Sequence, residues 1–67
     1  MSTQLWITPC KAGWLVTSRG EELAVCKDES SSITLAKTLA KWSAHLGHRC
    51  DVTFCDRNDM WFSVSLA

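Results

Sequence analysis

Ser30-Ser31-Ser32-Ile33-Thr34-Leu35-Ala36-Lys37-Thr38-Leu39-Ala40-Lys41-Trp42-Ser43-Ala44-His45-Leu46-Gly47 is the one stretch of this chain that reads as a helix. Leu35, Ala36, Leu39, Trp42, Ser43 and Leu46 recur at helical spacing on one side, with Ile33 and Ala40 at its margins. Thr34, Lys37, Thr38, Lys41 and His45 fall on the other. Asp28, Ser30, Ser31 and Ser32 can each cap the first turn, because a side-chain oxygen there accepts from an orphan amide. Gly47 tolerates the left-handed conformation that ends a helix, and His45 suits the negative end of the dipole.

On both sides of this segment the apolar period drops to two. Gln4–Thr8 places Leu5 and Ile7 on one face and Trp6 on the other, and Pro9 closes the run because it cannot donate to a ladder. Trp14–Thr17 places Trp14 and Val16 together. After the turn at Ser18-Arg19-Gly20, Glu22–Cys26 sets Leu23 and Val25 opposite Ala24 and Cys26. Beyond Gly47, Cys50, Val52 and Phe54 alternate with Asp51, Thr53 and Cys55. Asp56-Arg57-Asn58-Asp59 connects to a last strand, with Asn58 expected in the left-handed region. That strand places Met60, Phe62, Val64 and Leu66 on one face and Trp61, Ser63 and Ser65 on the other.

The expected fold is therefore a single α+β domain over residues 1–67, ordered β-β-β-α-β-β. An antiparallel sheet of four to five strands has one face covered by the helix. Leu5, Ile7, Trp14, Val16, Val52, Phe54, Met60, Phe62 and Val64 are assigned to the covered face, and Trp14 and Trp42 to the core. Trp6 and Trp61 are left on the open face, with Leu15 nearby.

Composition narrows the class further. A 67-residue domain buries only about 60% of the surface its unfolded chain exposes. A core of this size supplies about 3–5 kcal/mol. Its 46% hydrophobic content and four tryptophans are enough for a core and argue against disorder. Seven basic and seven acidic residues cancel, so net charge gives no argument for nucleic acid or membrane. No apolar run approaches the roughly 20 residues of a membrane span. The stretch Met1-Ser2-Thr3-Gln4-Leu5-Trp6 lacks the charged and apolar regions of a signal peptide. A cytoplasmic protein is expected, with Cys10, Cys26, Cys50 and Cys55 reduced and packed as small apolar residues.

Chemistry-bearing patterns are sparse. His45, His48, Cys50 and Cys55 crowd one segment, yet no Cys-x-x-Cys pair exists, and two cysteines five apart on a strand point to opposite faces. No metal or cofactor is expected. Gly13, Gly20 and Gly47 are too scattered for a phosphate loop. No local signature sets a nucleophile beside a base and an oxyanion donor, so an enzyme is not expected.

Charge distribution says more than net charge. Between Ser30 and Cys50 the chain carries Lys37, Lys41 and Arg49, two histidines, and no acid. Read functionally, Lys37, Lys41, His45 and Arg49 are a basic surface for phosphate or an acidic protein patch; read plainly, they are a solvated helix face. Three full positive charges support only weak nucleic-acid binding, since counterion release scales with phosphate contacts. Trp6 and Trp61 on an uncovered face either pack on each other or meet a partner or a second copy.

The span from Leu35-Ala36-Lys37 to Asp59-Met60-Trp61, about half the chain, resembles small phage-encoded anti-CRISPR proteins. Its helix is closed by Gly47, and a final hairpin carries Trp61. Gly13-Trp14-Leu15-Val16 followed by the Ala-rich helix also resembles a family of small bacterial domains. The first resemblance implies an inhibitor in the host cytoplasm that docks on a nucleic-acid-guided defence ribonucleoprotein. Such proteins share little sequence, so it transfers no residue roles. The expected function is thus a non-catalytic protein-binding module using Trp6, Trp61, Lys37, Lys41, His45 and Arg49. The alternatives are a nucleic-acid-binding accessory protein using the basic helix face and a homodimeric structural protein.

Overall fold

The computed structural model describes residues 2–65. The elements are β1 (Ser2–Cys10), β2 (Gly13–Ser18), β3 (Glu21–Cys26), α1 (Glu29–His45), β4 (Arg49–Cys55) and β5 (Trp61–Ser63). They form the expected α+β order. Leu66, expected on the last strand, lies outside the described residues.

The sheet runs β3-β2-β1-β4-β5. β1 pairs antiparallel with β2, as β2 does with β3 and β4 with β5. β1 and β4 run parallel, from Ser2↔Arg49 to Ile7↔Phe54, so the sheet is mixed rather than purely antiparallel. Connectivity forces this pairing. Two hairpins give β1 and β3 the same direction, and a helix on one layer returns the chain so that β4 takes that direction too. Among the three strands that precede the helix, the only antiparallel neighbour for β4 would be β2, whose two sides are already filled. Pro9 does not end β1. It pairs with Trp14 beyond the last β1–β4 pair, where its strand has a single neighbour.

α1 is capped as its sequence suggests. The Asp28 carboxylate accepts from the Ser31 amide at 2.7 Å, and that bond holds its pKa below the usual value. At the other end the amide of His48 donates to the Ser43 carbonyl and that of Gly47 to Ala44, at 2.8 and 3.0 Å. This pair of bonds closes the last turn, and Gly47 takes the positive φ of 84° it requires.

The helix lies on the sheet in a different phase from the one expected. Ser32, Ala36 and Ala40 are the buried helix residues, spaced four apart along one ridge. Their small side chains let the backbone come close to the sheet, while Ile33, Leu35 and Leu39 pack at the flanks. Ser32 donates its buried hydroxyl to the Glu29 carbonyl at 2.7 Å. Trp42 is therefore not a core residue: it is 65% exposed, and Leu46 is 69% exposed.

Beneath the helix, Leu5, Ile7, Trp14, Val16, Cys50, Val52 and Phe54 form the sheet side of the core. Trp14 and Phe54 stack at 5.0 Å. Arg57 covers Trp14 at 4.8 Å from the ring centre and donates to the Gly13 carbonyl at 3.0 Å. Val64 packs on this core, but Met60 and Phe62 are exposed. Met60 precedes β5, and Phe62, opposite Phe54, lies on the edge strand.

In the β4–β5 connection the Asp56 carboxylate accepts from the amides of Asn58 and Met60 at 2.8 and 3.0 Å. With Asn58 held in that Asp-centred turn, Asp59 takes the positive φ, 61°.

Candidate functional site

Strand alternation and register assemble the open face. Trp6 stands on central β1, opposite Thr17 on one side and Thr53 on the other. Thr53 pairs onward with Ser63, and Cys55 with Trp61. These pairs set Trp61 diagonally from Trp6 across β4, within reach of a large side chain. The two indoles meet edge to face, with ring centres 5.5 Å apart and planes at 90°. In this orientation the positive edge of one ring meets the negative face of the other.

The pair nevertheless stays accessible, with Trp6 38% and Trp61 54% exposed. Cys55 is buried on the same face, where burial, then the nearby Asp59 and Asp56, push its thiol pKa up. Leu15 and Val25, paired across β2 and β3, continue the face toward the β3 edge. Its polar margin is ordered too. The Gln4 amide donates to the Thr53 hydroxyl at 2.8 Å and to the Leu5 carbonyl at 3.0 Å. Arg49 and Asp51 form an exposed ion pair at 3.6 Å, a contact of small net value in solvent.

The structure divides the residues singled out by the sequence. Trp6, Trp61 and Arg49 share the open sheet face. Lys41 and His45 stand exposed on the outer surface of α1, and Lys37 beside them is partly covered. The helix surface belongs to the opposite layer, so Arg49 adds nothing to a basic stripe there. Cys50 and Cys55 lie on opposite faces, as their spacing implies. Among the described residues no cluster of three histidine, cysteine or acidic side chains is placed to hold a metal, and no helix is long and apolar enough to cross a membrane.

Sequence reading missed a second surface. A groove opens between the C-terminal half of α1 and the β2–β3 hairpin, lined by Leu5, Leu23, Leu39, Trp42, Leu46 and Cys50. Leu23 reaches it because the β2–β3 register shifts between Val16 and Thr17. The shift leaves Leu23 as the unpaired residue of a bulge. A legible signal for the helix part was the Ser32-Ala36-Ala40 ridge, whose small residues mark where a helix comes closest to its neighbour.

No family model matches this chain, and neither does any curated protein or any solved structure.

Proposed function

We propose that this chain is a non-catalytic protein-binding module whose contact surface is the open sheet face centred on Trp6 and Trp61. One observation carries the reading: two indoles locked edge to face, both still open to solvent, on a sheet face that no other described element covers. Ordering a large side chain at an interface costs entropy, and the mutual packing of this pair meets part of that cost beforehand. Tryptophan is enriched among the few residues that dominate binding energy. Gln4, Thr53, Arg49 and Asp51 supply the polar rim such a centre requires.

Within this proposal the resemblance of Leu35–Trp61 to phage anti-CRISPR proteins selects the first partner class to test. It is a bacterial nucleic-acid-guided defence ribonucleoprotein met in the host cytoplasm, with the module acting as an occluding inhibitor. The nucleic-acid alternative keeps only Lys37, Lys41 and His45, because Arg49 sits on the other layer. That is too few phosphate contacts for more than weak, salt-sensitive association.

The test measures affinity for a partner captured from bacterial lysate with and without nuclease. Trp6→Ala and Trp61→Ala, with folding checked by circular dichroism, should each weaken binding by about 2 kcal/mol or more, roughly thirty-fold in Kd. Lys37→Glu with Lys41→Glu should mainly slow association. Full affinity in the tryptophan variants, with loss in the lysine pair, would move the site to the helix.

A further inference from the structure

We infer that Arg57 is the positioning residue of the open-face contact: it clasps the β4–β5 turn onto Gly13 and Trp14 and thereby holds Trp61 against Trp6. The inference rests on the proposed reading of that face as a binding surface. Trp61 needs such a hold, because β5 supplies little of its own. The strand has three residues, all exposed, and one neighbouring strand, β4. Among the described residues α1 does not pack on it. A short ladder at a sheet edge, with no layer over it, is marginal by itself and opens locally.

The two ends of β5 are anchored differently. Beyond Ser63, Val64 packs on the core and donates its amide to the Val52 carbonyl at 2.9 Å. Trp61 stands at the other end, next to the turn. Bonds within that turn are local: the Asp56 carboxylate accepts from the Asn58 and Met60 amides, and the Asp56 amide donates to the Met60 carbonyl at 2.9 Å. They shape the turn without fixing where it lies on the sheet. Among the described residues, one hydrogen bond ties residues 56–60 to a distant part of the chain, from Arg57 Nη2 to the Gly13 carbonyl at 3.0 Å. It reaches past β1 to β2, across 44 residues of sequence.

Both groups that the clasp grips are rigid. Gly13 pairs with Cys10 on one side, and on the other its backbone lies so close to β3 that a Cβ would collide with the Cys26 carbonyl oxygen. Trp14 is buried and stacked on Phe54. A guanidinium suits the two together: its carbon lies over the indole, 4.8 Å from the ring centre, while an N–H donates to the carbonyl. A lysine ammonium offers one compact charge and no plane to stack. Trp14 belongs to the covered side of the sheet, so the clasp acts on Trp61 through the turn backbone. Holding the indole in place beforehand lowers the ordering cost that a partner meets.

Circular dichroism of the free full chain tests the clasp, through the exciton couplet that two indoles in contact give in the far ultraviolet. The wild type should show this couplet and Trp6→Ala should remove it, which assigns it to the Trp6–Trp61 pair. Arg57→Ala should lose most of it while the helix signal persists. Asp28→Ala, which weakens the fold at the distant α1 cap, should keep it. Arg57→Lys should lose less than Arg57→Ala does. For Arg57→Ala, affinity for the protein captured from bacterial lysate should fall by about three- to tenfold in Kd, the share expected from releasing one large side chain. An unchanged couplet in Arg57→Ala, or in Arg57→Lys should the alanine variant unfold, would overturn the inference. So would an equal loss in Asp28→Ala. A lost couplet with undiminished affinity would uphold the clasp and overturn the open face as the contact surface.

Discussion

The phase of α1 on the sheet can be tested by exchanging the burdens on Trp42 and Ala36. Trp42 is 65% exposed, so about a third of the side chain is removed from water. At roughly 200 Å² for a tryptophan, that third is about 70 Å², and Trp42→Ala forfeits about 1.5–2 kcal/mol. Alanine's better helix propensity returns about 0.5 kcal/mol. The net loss should be near 1 kcal/mol, well short of the roughly 3–5 kcal/mol for a tryptophan packed in a core. Ala36 has no accessible surface and sits in the middle of the sheet-facing ridge. Ala36→Leu forces three carbons between helix and sheet, which should cost about 2–3 kcal/mol through shifted backbone and strained rotamers. Against a total of about 3–5 kcal/mol, that leaves a barely folded domain. Urea titrations followed by far-ultraviolet circular dichroism, at a protomer concentration low enough to keep the chain monomeric, give both numbers. A near-neutral Ala36→Leu together with a loss above about 3 kcal/mol for Trp42→Ala would refute the packing described here.

Three further outcomes follow from local geometry. Gly13→Ala should destabilise by about 2–3 kcal/mol in the same titration, because φ is +136° and a Cβ there would collide with the backbone carbonyl oxygens of Cys26 and Lys27. Asp28 has a depressed pKa in the fold, so its capping contribution is present above its unfolded pKa and is lost as pH falls through the folded one. Asp28→Asn, which keeps the cap but not the charge, should therefore flatten the acid side of the Tm–pH profile, and an unchanged profile would contradict the cap's role. Cys50 and Cys55 are buried with raised thiol pKa values, burial being the main cause in each. Alkylation at neutral pH followed by peptide mass mapping should thus label Cys10 and Cys26 first, and equal labelling of all four would count against the placement of Cys50 and Cys55.

Period and punctuation by themselves determined the element order, the single helix between Asp28 and Gly47, and the faces of Leu5, Ile7, Trp14, Val16, Val52 and Phe54. Each of those readings depends on neighbours within one strand or one turn, where alternation or capping leaves few choices. The separation of Trp6 and Trp61 from the core was legible for the same reason. The parallel β1–β4 pair was implicit in the connectivity, but it becomes visible only when strand directions are followed through the helix. The sequence of the helix carries two competing stripes, and the tertiary structure decided which of them turns to the sheet. Apolar spacing favoured the large residues Leu35, Leu39, Trp42 and Leu46, whereas close approach to a sheet selects the small ridge Ser32, Ala36 and Ala40. That choice exposes Trp42. The register shift that sends Leu23 into the groove, and the opposite layers taken by Arg49 and the helix lysines, also depend on pairings between distant segments. Such pairings are set by the fit of whole layers, so no local stretch of residues encodes them.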